Sequence, residues 1–424
     1  MRIAVIGSGA SGLTATWLLQ PNFDVTCFEA STEIGGNVQS RTIQIGGESL
    51  KVQLGPTYLL PKDYTAFFEI LSILKVPTEK ISMQLSVLDE EGGAPFASPS
   101  LRPLRLGLLS NMTTAKDLIH LRTILAESLK LIKRSDSSTT WRDFVTSLDV
   151  PKEFIANVAT PIASAFFGLS YQDVGDVSAS FGLLYMALCL PTLTNGIQFG
   201  RGVVGGTHRW IEVLGSKIKT GTVHLDCEVY RIKPVSGDKV LVEHSQGQEV
   251  FDRVVVSAQP WIAAEIVDDE ELKKVLRQFP SFPAEIAIHQ EPLVNAGKNN
   301  RSHAMVVAGK DSAQLSTYAG SAGGEKIYRS WITSGPKFPE PILANHFYRH
   351  LLPLPAIVNA QKQIRTLNRK GSIYFAGAWT HDLDSHEAAV RSGIGAARAL
   401  GANNHLLSEL GDPKSRYGFG TTRF

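Results

Sequence analysis

The sequence is poor in cysteine, with three in 424 residues. Cys27, Cys189 and Cys227 show neither C-x-x-C spacing nor a metal-binding pattern, which argues against a disulfide framework and a zinc site. His346 and His350 are four residues apart, but no third ligand is evident, and alternating residues there predict a strand. We therefore predict no metal, and we interpret the cysteines as reduced core residues of a cytoplasmic protein.

Long hydrophobic runs and an excess of charge are also missing. The longest apolar run, Phe181 to Leu190, is far shorter than a membrane-spanning helix. The chain starts directly on its first predicted strand, so we expect no signal peptide. With 42 basic and 40 acidic residues, the net charge of +2 gives no global field that would favour nucleic acid as a partner. The length and the 43% hydrophobic content suit a globular enzyme of two domains.

The first forty residues carry the strongest pattern. The apolar run from Arg2 to Ile6 predicts a buried parallel strand, Gly7-Ser8-Gly9-Ala10-Ser11-Gly12 follows it, and a helix is predicted next. In such a strand–GxGxxG–helix unit, the glycines allow a tight turn, a close approach to a pyrophosphate and close helix–strand packing. The helix N-terminus offers free N–H groups to the phosphates. We therefore predict cofactor contacts at Gly7, Gly9, Ala10, Ser11 and Gly12.

An acidic residue follows at the spacing that a dinucleotide site requires. Asp24 to Glu29 predicts the second strand. Glu29 lies 17 residues after Gly12, close to the position of a carboxylate that accepts a hydrogen bond from a ribose hydroxyl. Around the glycines, four separate conditions hold, namely a preceding strand, a following helix, a second strand and an acid at its end, and together they predict a bound dinucleotide.

Three segments resemble the FAD-dependent amine oxidase superfamily, which also contains phytoene desaturases and protoporphyrinogen oxidases. Glu29 to Thr42 is similar to the family's E-x(5)-G-G-x(4)-R-T segment. Gln53-Leu54-Gly55-Pro56 is similar to its D-x-G-x segment, with Gln in place of Asp. Ile373 to Gly393 is similar to its second flavin motif, a strand ending in glycine followed by a helix. The resemblance covers about residues 1–400 and is closest to bacterial amine-oxidase-like proteins described as NAD/FAD-binding.

The resemblance implies an α/β fold: a Rossmann-type FAD-binding domain, as in glutathione reductase, with an inserted α+β substrate domain. We expect the first in residues 1–60, 200–264 and 366–424, and the second in 61–199 and 265–365. It implies non-covalent FAD, because no cysteine or histidine matches the covalent flavin motif of the monoamine oxidases. It also implies cofactor contacts at Ala30, Gly36, Asn37, Gly55, Pro56, Val229, Ala258, Gly377, Ala378, Glu387, Ala388 and Ala389.

The helix that opens near His386 is predicted to meet the flavin ring. Its positive end would lie near N1 and O2, with the N–H groups of Ala388 and Ala389 as candidate donors. His386 is our candidate catalytic base, which would remove a proton while a hydride leaves for N5. Two alternatives stay open: His386 and Glu387 cap the helix, or they hold ribityl hydroxyls, and we favour Glu387 as such an anchor.

These observations predict an FAD-dependent oxidoreductase that takes a hydride from a small, apolar, lipid-like substrate to flavin N5. Amine oxidation is the first alternative, although Asp384 to Glu387 lacks the aromatic of the family's G-Y-x-x-G segment and Glu285 to His289 lacks a lysine. A non-catalytic flavin-binding scaffold is the second. Because Ala319 to Gly324 lacks a following apolar helix, we expect O2 or another acceptor, rather than NADPH, to exchange electrons with the flavin.

Four other predictions concern the rest of the chain. Leu101 to Arg134 predicts a basic amphipathic helix, either solvated or resting as a peripheral contact on a membrane surface. Val223 to Ile232 predicts one strand, whose Val229 would meet adenine by the resemblance. Residues after about 405 predict a polar, poorly ordered tail. A set of large apolar residues either lines a substrate cavity or forms helical core, which we favour: Phe166, Phe167, Phe181, Tyr185 and Met186.

Overall fold

The structure is a computed structural model, which describes residues 1–55, 59, 64–81, 84–97, 115–134, 136–180, 200–220, 222–295, 303–368, 371–381 and 385–410. Within these residues the chain has a mixed α/β fold with two main sheets, each covered by helices. Pro56, Phe181, Tyr185, Met186 and Cys189 lie outside the described residues.

A five-stranded parallel sheet contains both strands predicted for the dinucleotide pattern. Its central strand is apolar and buried from Ile3 to Ile6, which is typical of parallel sheets covered on both faces. The sheet order is β19 (Ile373–Phe375), β13 (Arg253–Val256), β1 (Arg2–Ile6), β2 (Asp24–Phe28) and β9 (Val223–His224). Because all five strands are parallel, their carboxyl ends and the loops that follow them meet along one edge.

Helices α1 (Ala10–Leu19) and α12 (His386–Ala399) pack against each other beside this sheet. A Cβ at Gly393 would lie 2.5 Å from the carbonyl oxygen of Ser11, so only glycine permits this approach. The two helices come from opposite ends of the chain, and their contact brings the first and second predicted flavin motifs together.

The segment from Val223 to Ile232 corrects the prediction of a single strand. It is divided between β9 and β10 (Val229–Val235), which belong to different sheets. Asp226 between them has φ +51°, a left-handed conformation that no regular strand contains. β10 forms a three-stranded antiparallel sheet with β11 (Lys239–His244) and β12 (Gly247–Phe251).

A seven-stranded sheet forms the second main layer. All its neighbouring strands are antiparallel except the pair Ala304–Ala308 and Leu85–Leu88. The predicted strand through His346 and His350 is confirmed, and the strand Ala313–Ala322 was not predicted. The sheet order is β18 (Ile342–Leu351), β14 (Ser281–His289), β17 (Glu325–Trp331), β16 (Ala313–Ala322), β15 (Ala304–Ala308), β6 (Leu85–Leu88) and β7 (Phe96–Ala97).

Helices from residues 115–176 pack against this sheet through a shared apolar core. They are α3 (Ala115–Lys133), α4 (Trp141–Thr146), α5 (Lys152–Phe154), α6 (Thr160–Phe167) and α7 (Tyr171–Asp176), with a π-helical turn at Ile155–Ala159. Leu121, Ile124 and Leu125 of α3 are buried in that core. Residues 101–114 of the predicted basic helix lie outside the described residues, and contact with a membrane surface stays a prediction. No helix among the described residues is long and apolar enough to cross a membrane.

The remaining elements connect the two sheets. β3 (Ser40–Ile45) and β4 (Glu48–Gln53) form a hairpin, and β5 (Thr78–Ile81) pairs antiparallel with β8 (Gly200–Val203), which is distant in the sequence. A short helix replaces part of the predicted tail, because Leu407 and Leu410 are buried in the main core. The other helices are α2 (Thr65–Ile73), α8 (His208–Gly215), α9 (Pro260–Ile266), α10 (Glu270–Leu276), α11 (Ile357–Leu367) and α13 (His405–Glu409).

The two main sheets draw their strands from different parts of the chain. All five parallel strands lie within residues 1–60, 200–264 and 366–424, and all seven strands of the other sheet lie within 61–199 and 265–365. We keep the domain division predicted from the sequence as a proposal with these boundaries.

Candidate functional site

The glycine turn after β1 forms an open cradle at the N-terminus of α1. Gly7 has φ +98°, and a Cβ at Gly12 would overlap the Gly7 carbonyl oxygen, so neither position accepts another residue without strain. Gly9 faces Gly36, and a Cβ at Gly36 would lie 3.1 Å from the Gly9 Cα. No side chain caps α1, and its first turn has no acidic residue. These N–H groups and this free space suit a pyrophosphate.

Serine hydroxyls join this turn to the second flavin motif. Ser11 Oγ lies 2.7 Å from Ser392 Oγ on α12, and Ser392 Oγ accepts from the backbone N–H of Gly377 at 2.9 Å. The indole of Trp379 donates to the carbonyl oxygen of Ala258 at 3.1 Å. Ala378 follows Gly377 and begins a short 3-10 turn that also contains Trp379. The structure thus brings together predicted site residues from the beginning, the middle and the end of the chain.

Glu29 lies at the end of β2 and binds the glycine turn. Its carboxylate accepts from the N–H and the hydroxyl of Ser8 at 2.7 and 2.6 Å, and from the N–H of Ser31 at 2.9 Å. A carboxylate accepts about four hydrogen bonds, so one acceptor position remains for the predicted ribose contact. Ala30, Gly36 and Asn37 follow on an exposed loop, and Val229 is buried at the start of β10.

The N-terminus of α12 corrects the donors predicted for the flavin. Ser385 caps this helix: its hydroxyl accepts from the N–H of Ala388 at 3.1 Å, and its carbonyl oxygen accepts from the N–H of Ala389 at 3.0 Å. Both N–H groups are therefore used inside the helix cap. The backbone N–H groups of His386 and Glu387 have no such partner among the described residues, so they are the first-turn donors that remain for a cofactor.

Glu387 also has a different position from the one predicted. Its carboxylate accepts from the N–H groups of Ala66 and Phe67 at 3.0 and 2.9 Å, at the start of α2. Arg391, one turn along α12, donates to it at 2.6 Å, and both side chains are buried. Because both oxygens are occupied by protein donors, we reassign Glu387 from a ribityl anchor to a cap of α2.

His386 is packed among aromatic rings. Its ring centroid lies 4.6 Å from that of Phe67 and 5.1 Å from that of Trp210, both edge to face. Burial lowers the pKa of His386 to about 3, and its Nε2 has no hydrogen-bond partner among the described residues. Because a base works best when its pKa is near the working pH, this geometry does not support the catalytic role predicted for His386.

Several buried polar atoms near these segments lack partners among the described residues. They are Gln53 Nε2, Trp210 Nε1, Gln259 Oε1 and His386 Nε2. Gln53 accepts from the N–H of His208 at 3.3 Å, so it lies at the start of the same helix as Trp210. Orphaned buried groups are rare and call for an unseen partner. A flavin, with its ring nitrogens, carbonyls and hydroxyls, is such a partner, so these residues fit the predicted cofactor.

Arg329 on β17 connects the seven-stranded sheet to the Gln53–Gly55 segment. Its guanidinium donates to the carbonyl oxygens of Gln53 and Gly55 at 3.2 and 3.0 Å. A Cβ at Gly55 would lie 2.5 Å from the Asn37 carbonyl oxygen, so Gly55 also packs on the first motif. One face of the seven-stranded sheet is therefore turned toward the predicted flavin segment.

Five residues of this arrangement were absent from the sequence predictions: Ser8, Trp210, Arg329, Ser385 and Arg391. Ser385 could have been found, because serine before a helix is the preferred N-cap. Arg391 could also have been found as the i+4 partner of Glu387. Ser8, Trp210 and Arg329 carry no local signal, since their partners are distant in the sequence.

Comparison with known proteins bears on the family and the fold. The sequence profile of the family described as flavin containing amine oxidoreductase matches residues 10–292. No curated protein matches the sequence. Among solved structures, wild-type putrescine oxidase bound to putrescine is similar with a TM-score of 0.67 and 15% identity, over 95% of this chain and 100% of that one.

Two further solved structures share the fold. Cyclohexylamine oxidase from Brevibacterium oxydans has a TM-score of 0.67 and 16% identity, over 96% of this chain and 99% of that one. A CLA-producing fatty acid isomerase from P. acnes has a TM-score of 0.64 and 14% identity, over 92% and 96%. At these identities the similarity shows the fold alone. The family match covers two thirds of the chain and confirms the predicted FAD cofactor and oxidoreductase function. The chain therefore belongs to the family of flavin-containing amine oxidoreductases.

Proposed function

We propose that this enzyme removes a hydride from an apolar, lipid-like substrate that carries no positive charge. The observation behind this proposal is the charge of the sheet face beside Gly55. Arg329 donates to the carbonyl oxygen of Gly55. The pKa of His303 is lowered first by burial of its ring and second by the positive charge of Arg329. Burial and then the charge of Arg41 lower the pKa of His346 in the same way. Arg329 on this face and Arg41 on the neighbouring strand β3 are two cations that would repel the ammonium group of an amine.

The rest of this face is apolar and aromatic. The rings of Trp331 and Tyr348 lie 5.9 Å apart, and that of His346 lies 5.4 Å from Tyr348. These rings are partly buried, so they offer apolar surface close to a region that solvent still reaches. Small-molecule sites are mostly of this kind, with a few polar groups that orient the ligand. The face therefore suits a substrate with an apolar body.

The chemistry divides between the cofactor and the chain. Bound FAD supplies the oxidant, which accepts a hydride from the substrate. The uncapped N-terminus of α1 would hold the pyrophosphate, and the N–H groups of His386 and Glu387 would donate to the ring system. Ala319 to Gly324 lies in β16 and the turn after it, not between a parallel strand and a helix. We therefore propose O2 or another small acceptor, rather than NADPH, for reoxidation.

Amine oxidation is the competing function, because putrescine oxidase and cyclohexylamine oxidase share this fold. Three compounds with one chain and different head groups separate the two: decanol, decanoate and decylamine. Anaerobic stopped-flow measurement at the flavin absorbance band should show reduction by the neutral or acidic compound and none by the amine. Reduction by decylamine alone would refute the proposal.

A variant of the sheet face tests the reason as well as the outcome. Arg329→Met removes the charge beside Gly55, whereas Arg329→Lys keeps it and serves as the matched control. If charge excludes amines, the methionine variant should bind decylamine about tenfold more tightly, which corresponds to roughly 1.4 kcal/mol. The lysine variant should not. Equal amine affinities in both variants would show that charge on this face does not select the substrate.

A further inference from the structure

A groove of about 510 Å³ lies between α9, α10 and the paired strands β14 and β18. Its volume falls within the range of small-molecule sites, roughly 300–1,000 Å³. Leu276 and Phe279 form a buried apolar floor, and Trp261 forms a wall. None of these residues belongs to the predicted cofactor or substrate contacts, so the groove has no place in the function proposed above.

Cations outnumber carboxylates among the residues that line the groove. Lys273, Arg277 and Arg349 contribute three cations, against the two carboxylates of Glu265 and Glu270. Glu270 lies 2.9 Å from the ammonium of Lys273 and 3.8 Å from Arg277, so those two cations share one carboxylate.

Arg349 is the cation whose donors are available. Its guanidinium lies over the ring of Trp261, 4.9 Å from the centroid. In the part of the chain that the structure describes, it has no hydrogen bond and no ion pair with a carboxylate. Stacking on the indole fixes the plane of the guanidinium and leaves its N–H groups at the edge, the geometry that binds a carboxylate with two parallel hydrogen bonds.

We infer that this groove binds an apolar carboxylate, with its head group on Arg349 and its chain on the apolar floor. The single guanidinium that Arg349 offers matches a monoanion better than a phosphate monoester, which carries close to two charges at neutral pH. The site stands independently of the substrate proposed above, because it requires neither hydride transfer nor bound substrate.

The groove also contacts the flavin region. The ring of Phe279 lies 4.9 Å from that of Trp379, whose indole donates to Ala258. The apolar chain of a ligand bound on the groove floor would therefore be separated by two side chains, Phe279 and Trp379, from the predicted flavin contacts at Gly377 and Ala258. Occupancy of the groove should change the environment of the flavin as well as that of Trp261.

Calorimetric titration of the FAD-loaded protein with laurate tests the site. Wild-type protein should bind laurate, and Arg349→Gln should weaken binding about tenfold or more, because a charged hydrogen-bonded pair is lost. Arg349→Lys keeps the charge without the planar fork and should fall between them. Arg142→Gln is the matched control, since Arg142 is an exposed arginine paired with Asp176 elsewhere.

Three further titrations use the same protein. Dodecanol, with the same chain and no charge, should bind more weakly than laurate, and inorganic phosphate should not compete with it. Apart from any bleaching by flavin reduction, the flavin absorbance band should shift in position on laurate binding in the wild type and in Arg142→Gln but not in Arg349→Gln. Equal binding of laurate by Arg349→Gln, or equal binding of laurate and dodecanol by the wild type, would overturn the inference. Thermal melts of each variant establish that it is folded.

Discussion

Removing the carboxylate of Glu387 should destabilise the protein even when no flavin is bound. The pair formed by Glu387 and Arg391 is 8% exposed at each side chain and 2.6 Å long. Substituting Glu387→Met removes the carboxylate from the buried guanidinium of Arg391, and breaking such a buried pair costs about 3–5 kcal/mol. The substitution also removes the hydrogen-bond acceptor of the Ala66 and Phe67 N–H groups at the start of α2. Loss of such a helix cap costs about 0.5–2 kcal/mol.

The exposed pair of Lys130 and Glu127 is a close control. It is also 2.6 Å long and joins residues one helical turn apart, but its side chains are 58% and 39% exposed. Glu127→Met should therefore cost about 0.5 kcal/mol or less. The two glutamates differ in burial and in the two backbone N–H groups that donate to Glu387, so the difference between the variants measures these two contributions together.

Urea unfolding of the apoprotein is the decisive assay. Because FAD is absent, an anchoring role for Glu387 predicts no change in the free energy of unfolding, whereas the helix-capping role predicts the full loss. The double variant Glu387→Met with Arg391→Met should recover part of the loss, since no charge is left buried. Unchanged apoprotein stability together with loss of FAD from the holoprotein would refute the reasoning and restore the anchor.

Three other results are expected. Purified protein should be yellow after desalting and Gly9→Glu colourless, because the new side chain fills the cradle in front of α1; a colourless wild type that takes up no FAD would contradict the cofactor. Acid precipitation should release the FAD into the supernatant, and flavin left in the pellet would indicate a covalent bond. The unfolded chain protonates His386 below about pH 6.5, whereas burial lowers its folded pKa to about 3. Stability is therefore lost as the pH falls below 6.5, by about 1.4 kcal/mol per pH unit. His386→Phe should show a shallower pH dependence of urea midpoints, and it should keep flavin reduction within a few-fold of the wild type; an unchanged slope, or a loss of about 10²–10⁴ in rate, would contradict this account of His386.

Sequence patterns predicted the elements whose signals are contiguous. The strand, glycine turn, helix and acidic residue of the first motif lie within residues 2–29, and each was found as expected. The strand through His346 and His350 was predicted from alternation, and its residues do alternate in burial. In these segments the chain's own steric limits and periodicity decide the structure, so the local sequence is sufficient.

Only tertiary structure decided what each polar group at the candidate site binds. Glu387 meets the N–H of Phe67, 320 residues earlier, and Arg329 meets the carbonyl of Gly55, 274 residues earlier. The donors predicted at Ala388 and Ala389 were lost to Ser385 because capping satisfies them within the same turn. The local sequence around a carboxylate or an N–H group does not indicate which distant partner will bind it, because that partner depends on how the helices pack. The sequence alone therefore determined the cofactor and the fold, and packing determined which groups remain free to act on a substrate.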